Sequence, residues 1–354
     1  MLDGIRVLDL SGWAAGTFAA TMCAELGADV IAVRPDLDAD QHAAAGPGPR
    51  PAASDRDLAV DLRDPAGRDL VLRLTDTAGA VVESFRPGQL ERIGLGPDVL
   101  RARNPRLVVT RISAFGQHGP YRDYEATGLV LQALSGIMRA ASDVGRPPLR
   151  RPDLLEEYAV GRAAGQATLA GINSARQTGT GAEIDVSGHE VLVSGKRFPG
   201  RPPARDDRPG HDDPPVPVPV AADTHPAGSH FVQGVYPAAG DDRWVAISIR
   251  HDRDWEAVTQ VLIAAHITVR GGREWPAGFA AARAAIQRGG AGQGDVDARA
   301  IRARIAAWTR PRDAADIVAT LQAAGVPAGE ALTQAQVRAD PHLQARGWFT
   351  ERVR

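Results

Sequence analysis

Between Glu83 and Asp123 the sequence alternates strand, helix and strand, which restricts the fold to a sheet of parallel strands. Ala80–Glu83 predicts one strand, an amphipathic helix follows, and Leu107–Ile112 predicts the next strand. Strands that alternate with helices pair in parallel, and their carboxyl ends form the ligand crevice of an open α/β sheet. Arg86 and Arg92 follow the first of these strands. Because guanidinium groups bind phosphate well, we predict a phosphorylated ligand here.

The first 35 residues predict a βαβ unit. Ile5–Leu10 and Asp29–Val33 are short apolar strands, and Thr17–Leu26 is a helix that Gly27 ends. Arg34 directly follows the second strand, where dinucleotide folds place the residue that contacts the ribose. An arginine there fits a ribose phosphate, such as the 3′-phosphate of coenzyme A, and a surface arginine is the alternative of equal weight. The G-x-G-x-x-G fingerprint is absent, which disfavours nicotinamide and flavin cofactors.

Composition narrows the class of protein. The 354 residues are 44% hydrophobic with a formal net charge of −2, which predicts two domains with real cores and no nucleic-acid partner. Lys196 is the only lysine, so a P-loop is absent and a pyridoxal Schiff base is disfavoured. Cys23 is interpreted as a core residue, which leaves neither a disulfide nor a cysteine metal site. With no signal peptide or long apolar run, we expect a soluble cytoplasmic protein without membrane contact.

The domain organisation follows from composition along the chain. Residues 1–196 keep the α/β rhythm and predict a large Rossmann-like domain. Residues 197–229, here called the Pro-rich tract, predict an extended linker. Residues 230–324 predict a smaller α/β domain, and residues 325–354 a C-terminal return segment. His211, Asp212 and Asp213 lie in the Pro-rich tract and are weak metal-ligand candidates, so we expect no metal.

Collinear motifs run through nearly the whole chain outside the Pro-rich tract. They are DGIRVLDLSGWAAGTFAATMCAELGADVIAV, DLRDPAGRDLVLRL, SFRPG, ERIGLG, NPRLV, FGQHGPYRD, TGTGAEIDVS, GVPAG and ADPHLQARGWF. In this order they resemble the family III CoA-transferases, the CaiB/BaiF or carnitine dehydratase-like proteins, a group that includes the α-methylacyl-CoA racemases. The resemblance implies two subunits interlocked as rings, with CoA or acyl-CoA as cosubstrate and no tightly bound cofactor. The return segment is shorter than is usual in the family.

The family's CoA-binding positions carry over residue by residue. Its adenosine-phosphate arginine falls on Arg34 and a basic residue after the third strand on Arg63. The pair before the RPG-like turn falls on Ser84, in place of the usual Asn, and Phe85. The helix arginine falls on Arg92, and Arg86 stands in the turn itself. The resemblance therefore implies a CoA site made by Arg34, Arg63, Ser84, Phe85 and Arg92, and its place after the strand adds Arg86.

The catalytic positions depart from the family pattern. An aromatic residue or histidine followed by an acid is typical there, and this chain has Thr127 and Gly128. Thr127 cannot move an α-proton, so racemase chemistry is the least favoured branch. The family's nucleophilic aspartate falls on Glu157, which keeps the charge and adds a methylene. Its neighbour Glu156 is a weaker candidate, and a helix-start carboxylate without catalytic role is the alternative for both.

Three further residues are minor candidates: His118 in the FGQHG loop, Glu125 as a substitute acid, and His189 as a packing residue. Two classes of function remain open. One is a CoA-transferase that moves CoA between an acyl-CoA and a small carboxylic acid through Glu157. The other is a catalytically impaired CoA-binding or scaffold subunit that pairs with an active paralogue, so that the dimer is either a homodimer or a heterodimer.

Overall fold

A computed structural model describes residues 1–12, 14–35, 56–142, 146–150, 155–195, 232–267, 278–287 and 293–349. The chain divides into two compact units. The first comprises Met1–Asp123, Leu154–Leu192 and Pro341–Arg354, and the second comprises Tyr124–Asp153 and Val193–Asp340. Both units are assembled from separate stretches of chain, unlike the continuous ranges predicted from the sequence, and those ranges stay a prediction. The Pro-rich tract with His211, Asp212 and Asp213 lies outside the described residues, as does Lys196.

The described elements alternate through the first half of the chain. The strands are β1 Arg6–Asp9, β2 Asp29–Pro35, β3 Asp57–Val60, β4 Ala78–Glu83, β5 Val108–Ser113, β6 Glu183–Ser187, β7 Val232–Pro237, β8 Trp244–Ile249 and β9 Ala328–Glu330. The helices are α1 Ala14–Glu25, α2 Pro65–Thr75, α3 Gln89–Arg92, α4 Pro97–Arg103, α5 Gly128–Leu134, α6 Ile137–Ala140, α7 Leu155–Thr178, α8 Gly188–Ser194, α9 Asp252–Ala264, α10 Phe279–Gln287, α11 Gln293–Thr309, α12 Ala314–Ala323, α13 Gln334–Arg338 and α14 Pro341–Ala345.

The first unit is built on a six-stranded sheet in the order β3-β2-β1-β4-β5-β6, and every neighbouring pair is parallel. The order changes direction between β1 and β4. In open α/β sheets this switch point, at the carboxyl ends of the strands, is where ligands bind. The predicted Rossmann-like parallel sheet is therefore confirmed, and the end of β1 lies between the ends of β2 and β4.

The two faces of this sheet bury separate cores. Successive side chains of a strand point to opposite faces, so Val7 and Leu8 of β1 enter different cores. On one side α1 and α7 supply small residues, among them Ala15, Ala19 and Ala164. On the other side α2 and α4 supply larger aliphatic residues, including Val71 and Leu100. The small residues let α1 and α7 pack closely against each other.

The second unit contains a three-stranded antiparallel sheet in the order β7-β8-β9. Its main core joins this sheet to α9, α11 and α12 through aromatic and aliphatic side chains such as Trp255, Ile305 and Ile317. A smaller core packs α5 against the sheet through Leu129 and Ala133, together with Ala246 of β8. The predicted smaller α/β fold is present.

Candidate active site

The carboxyl ends of β1 and β2 are held together by a buried ion pair. Asp9 at the end of β1 is fully buried and accepts hydrogen bonds from the backbone N–H and the hydroxyl of Ser11. Arg34 Nη2 lies 3.2 Å from Asp9 Oδ2, and Arg34 Nη1 donates to the Ser11 carbonyl at 2.9 Å. Burial raises the pKa of Asp9, although Arg34 opposes the shift. Two of the three guanidinium nitrogens of Arg34, a predicted phosphate ligand, thus contact groups within the protein.

A second buried network fixes the turn after β4. Glu83 is fully buried, and its Oε2 accepts the Phe85 backbone N–H at 2.7 Å. Arg111, opposite Glu83 on β5, donates to Glu83 at 2.8 Å, and it also lies 2.8 Å from Glu91 and 2.9 Å from Glu183. Burial raises the pKa of Glu83 to about 7. One guanidinium shared by three carboxylates therefore sets the start of the Ser84–Gly88 turn.

Three arginines surround the tip of that turn. Gly88 adopts a left-handed φ of 80°, and a Cβ at Gly88 would lie 3.2 Å from Arg122 Nη2 and 3.4 Å from Arg92 Nη1. Arg86 Nη2 donates to the Asp123 carbonyl at 3.3 Å. Arg86 and Arg92 are exposed. We call Arg86, Arg92 and Arg122 the arginine cluster, since their positive charge is concentrated at one corner of the carboxyl edge.

The arginine cluster includes one residue that the sequence analysis missed. Arg122 lies in a loop, with no strand or helix pattern to mark it, 34 positions beyond Gly88 in sequence. Its Nε is buried with no hydrogen-bond partner among the described residues. Only the fold of the Phe115–Asp123 loop brings it to Gly88. The motif GPYRD was the one signal that pointed to this loop.

The other predicted CoA contacts occupy different surroundings. Arg63 is 77% exposed and pairs with Asp61 within its own turn, at 3.0 Å. The Ser84 hydroxyl is buried and has no hydrogen-bond partner among the described residues. The Phe85 ring is half-buried and packs against the core shared by α2 and α4. Ser84 and Phe85 lie in the turn with Arg86, whereas Arg63 follows the edge strand β3.

Glu157 lies in the first turn of α7, a helix of 24 residues. A Cβ on Gly161 would lie 2.6 Å from the Ala15 carbonyl oxygen, and one on Gly165 would lie 2.8 Å from Met22 Sδ. These contacts advance in the same direction along both helices, so α1 and α7 are parallel. Glu157, one turn before Gly161, therefore lies near the start of α1 and the carboxyl edge of the sheet.

The side chains next to Glu157 support this placement. Tyr158 packs edge-on against Phe18 of α1, with ring centroids 5.1 Å apart. Glu157 is half-buried, and Glu156 is almost fully buried at 3% exposure. The carboxylate at position 157 is the more accessible of the two. A helix N-terminus also stabilises negative charge in its first turn.

The three minor candidates all contact other residues within the protein. Glu125 Oε2 accepts from Arg250 Nη1 at 2.7 Å, and its backbone N–H donates to Gln322, all within the second unit. His118 is exposed and lies 3.5 Å from Asp185. His189 is fully buried, with its ring 5.8 Å from the Phe115 ring. The packing interpretation of His189 therefore fits its surroundings.

Thr127 and Gly128 lie in the second unit, where α5 begins. Thr127 is the residue that precedes α5, in an extended conformation, and its hydroxyl makes no capping hydrogen bond. That hydroxyl is buried without a hydrogen-bond partner among the described residues. Gly128 is buried as the first residue of the helix. Neither residue offers a group that titrates near neutral pH.

Within the described ranges, no group of three or more His, Cys, Asp or Glu side chains is arranged to hold a metal ion. None of the described helices combines the length and the apolar character that a membrane crossing requires.

The chain is similar to named CoA-transferases. It is 31% identical to the probable CoA-transferase Rv1866 of Mycobacterium tuberculosis over 99% of this chain and 43% of that protein. It is 29% identical to the succinyl-CoA–D-citramalate CoA-transferase of Chloroflexus aurantiacus over 98% of this chain and 82% of that protein. The chain thus spans less than half the length of the first relative and most of the second.

Solved structures and the family comparison agree. The crystal structure of Rv3272 from M. tuberculosis superimposes with a TM-score of 0.50 at 26% identity, over 98% of this chain and 86% of that one. A CaiB/BaiF family protein from Brucella suis has the same fold, with a TM-score of 0.50 at 23% identity over 98% and 88% of the two chains. The family model described as CoA-transferase family III matches residues 2–353. The chain therefore belongs to CoA-transferase family III.

Proposed function

We propose that this protein transfers CoA from an acyl-CoA to a small carboxylic acid, with the Glu157 carboxylate as the nucleophile. The observation that carries the proposal is the position of Glu157. It lies in the first turn of α7, beside the start of α1, at the edge of the sheet that also bears the arginine cluster. A nucleophile and a phosphate-binding group at one edge are what a phosphorylated thioester substrate requires.

Each step of the proposed reaction exchanges one bond for another. The Glu157 carboxylate attacks the thioester carbonyl, the C–S bond breaks, and CoA thiolate leaves as an acyl–Glu157 anhydride forms. The thiolate then attacks the Glu157 acyl carbon and releases the donor carboxylate, which leaves a Glu157–CoA thioester. The acceptor carboxylate repeats these two steps in reverse order. Glu157 is regenerated, and no proton, metal or redox cofactor is consumed.

The CoA phosphates are assigned to the arginine cluster before Arg34. Arg34 already contacts Asp9 and the Ser11 carbonyl, so part of its positive charge is compensated within the protein. Arg86 and Arg92 are exposed, and a glycine at position 88 leaves room between the guanidinium groups. We assign Ser84 and Phe85 to the same CoA site because they form the turn beside the cluster. We assign Arg34 a supporting contact with the ribose phosphate. Arg63, at the edge strand, is the outermost residue of the proposed site.

The test is direct chemical trapping of the enzyme thioester. The purified protein is incubated with succinyl-CoA and then with hydroxylamine, and the modified residue is identified by mass spectrometry. We expect a hydroxamate on Glu157, and turnover reduced at least about a hundredfold in Glu157→Gln. Glu156→Gln is the matched control, because it makes the same change one residue away. A hydroxamate on Glu156, or unchanged turnover in Glu157→Gln, would refute the assignment.

A second candidate function is a CoA-binding subunit that pairs with an active paralogue. Two observations favour it: Thr127 and Gly128 replace the usual catalytic side chains, and relatives in Chloroflexus aurantiacus are named alpha and beta subunits of a succinyl-CoA–L-malate CoA-transferase. Native mass spectrometry of the protein alone separates the two. A homodimer that forms the hydroxamate supports the transferase. An assembly that forms it only after a paralogue is added supports the subunit.

A further inference from the structure

The segment that follows α13 carries two side chains that hold the Phe115–Asp123 loop of the same unit. His342 is fully buried in α14. Its Nδ1 accepts the Tyr121 backbone N–H at 3.0 Å, so its Nε2 carries the proton and donates to the Phe115 carbonyl at 2.7 Å. The Tyr121 and His342 rings stack 5.0 Å apart. A neutral histidine thus closes both ends of one loop.

Arg346, one turn further, holds the middle of that loop. Its side chain is only 5% exposed. Its Nη1 donates to the His118 carbonyl at 3.2 Å and to Asp185 Oδ2 at 3.0 Å, and its other nitrogens make a two-pronged pair with Glu190. Asp185 also accepts the Gln117 backbone N–H at 3.0 Å. One buried guanidinium therefore ties the loop to β6 and α8.

Two glycines of the loop are shaped to receive these side chains. Gly116 and Gly119 have φ angles of 83° and 100°, in the left-handed region. A Cβ on Gly116 would lie 2.2 Å from Arg346 Nη1, and a Cβ on Gly119 would lie 2.8 Å from His342 Nδ1. No other residue type fits either place without displacing the contact. Loop and C-terminal segment are matched to each other in backbone conformation as well as in polar contacts.

The loop ends at the arginine cluster. Arg122 directly follows Tyr121, and its backbone N–H donates to the Gly119 carbonyl at 3.1 Å. Because His342 contacts both Tyr121 and Gly119, these two residues set the position of Arg122. The next carbonyl, that of Asp123, accepts from Arg86. We propose that Arg346 and His342 are positioning residues for CoA binding, which act through the loop by placing Arg122 and the Asp123 carbonyl. This inference rests on the proposed assignment of the CoA phosphates to the arginine cluster.

The test is a double-mutant cycle on CoA affinity, measured by titration calorimetry on the full chain with CoA as the probe. We expect Arg122→Gln and Arg346→Gln each to weaken CoA binding about tenfold, the loss typical of one charge-assisted hydrogen bond. If Arg346 acts through Arg122, the double variant loses about tenfold and not about a hundredfold. Arg103→Gln is the control, because Arg103 pairs with Asp76 at the opposite edge of the sheet.

His342→Asn and Arg346→Lys complete the design. Arg346→Gln leaves Asp185 and Glu190 without their guanidinium, so His342→Asn serves as a variant that changes no charge, with the same expected loss. Arg346→Lys keeps the positive charge but cannot form the two-pronged pair with Glu190. We therefore expect it to weaken CoA binding nearly as much as Arg346→Gln does. In turnover with succinyl-CoA, we expect the KM of Arg346→Gln and of His342→Asn to rise about tenfold, while their kcat changes less than about twofold.

Five results decide whether the positioning role and the proposed function hold. Additive losses in the double variant, or a drop in kcat without a change in KM, overturn the positioning role. CoA affinity that is unchanged in Arg346→Gln and His342→Asn also overturns it, while the proposed CoA site stands. Wild-type protein that binds no CoA overturns the proposed function and this inference together. Tight wild-type binding with coupled losses supports both.

Discussion

At the scale of single residues, a buried charge at the carboxyl edge of the sheet is paired within the protein. Its partner is a residue that was predicted to bind a ligand. Arg34 was predicted as a phosphate ligand because it follows β2. In the structure it neutralises Asp9, a carboxylate with no exposure to solvent. A buried carboxylate without its partner is far more costly than an exposed one. The same side chain therefore stabilises the loop after β1 and limits what Arg34 can offer to CoA.

We predict that Arg34→Gln destabilises the protein by about 3 kcal/mol, because Asp9 is left as an unpaired buried charge. The double variant Asp9→Asn with Arg34→Gln removes both charges and is expected to recover at least half of that loss. Urea unfolding of the three proteins measures the difference. A double variant less stable than Arg34→Gln alone would show that Asp9 is not the cause.

Glu83 gives a prediction about pH. Burial raises its pKa to about 7 in the folded protein, above the ordinary value for glutamate. Between these two values the folded state holds a proton that the unfolded state has released, so stability falls as the pH rises through this window. We expect the free energy of unfolding to fall less between pH 5 and pH 7 in Glu83→Gln than in the wild type. The difference between the two falls is about 3 kcal/mol at most.

The comparison needs a control from the same network. Glu91 also pairs with Arg111 but is 44% exposed. In Glu91→Gln we expect stability to follow the wild-type pH dependence closely. Unfolding in urea at four pH values between 5 and 8 gives the three curves. Parallel curves for wild type and Glu83→Gln would contradict a raised pKa for this carboxyl group.

At the scale of elements, local sequence signals predict most helices and strands of the first unit. The bounds of the others depend on the contacts and backbone conformation of the folded chain. Asp64 as a helix cap predicts a helix over Pro65–Thr75, and α2 has these bounds, with Asp64 accepting the Ala66 N–H. The sequence predicts a short strand at Val60–Leu62, whereas β3 spans Asp57–Val60, because its register is set by pairing with β2. Apolar residues at helical spacing from Thr127 to Arg139 predict one helix, whereas the structure has two, α5 and α6, which are separated at Gly136, whose φ is 74°.

The candidate site divides in the same way. Arg86, Ser84 and Phe85 follow a strand end, and that local pattern was enough to place them at the carboxyl edge. Arg122 could not be found, since its neighbours Gly88 and Arg92 are brought to it by the turn of a distant segment. The contacts of His342 and Arg346 join positions more than 150 residues apart in sequence. No periodicity or spacing within a short window reports such pairs.

The packing of α1 against α7 carries a prediction about Glu157. In Gly161→Ala the new methyl group meets the Ala15 backbone carbonyl, which cannot move without shifting α1. We expect a destabilisation of about 2 kcal/mol and a displaced Glu157, with kcat lowered at least about tenfold. Urea unfolding and turnover with succinyl-CoA measure the two effects.

Gly165→Ala is the matched control on the same face of the same helix. Its methyl group meets the thioether of Met22, the far end of a flexible side chain, which can turn away. Alanine also favours a helix over glycine by about 1 kcal/mol. Stability equal to or above wild type is therefore expected, with turnover unchanged. Equal damage from both substitutions would show that the close approach at Gly161 does not position Glu157.

At the scale of the whole molecule, the proposed nucleophile and the proposed phosphate-binding arginines lie at one edge of one sheet. Each unit has its own hydrophobic core, and the switch point between β1 and β4 belongs to the first unit. The stretches that reach this edge come from distant parts of the sequence, including the segment after α13. The proposed CoA site therefore joins segments that are continuous neither in sequence nor in secondary structure.

Hydrogen exchange with and without CoA tests this arrangement. We expect CoA to slow exchange most in peptides that cover residues 84–94 and 116–123, because these loops carry the arginine cluster and lie at the surface, where local opening is easy. Peptides that cover residues 76–79 and 101–106, at the opposite edge of the same sheet, report the general stabilisation that any bound ligand gives. In Arg346→Gln the protection of residues 116–123 is expected to fall toward that general level. Equal protection at both edges would place the CoA site elsewhere in the molecule.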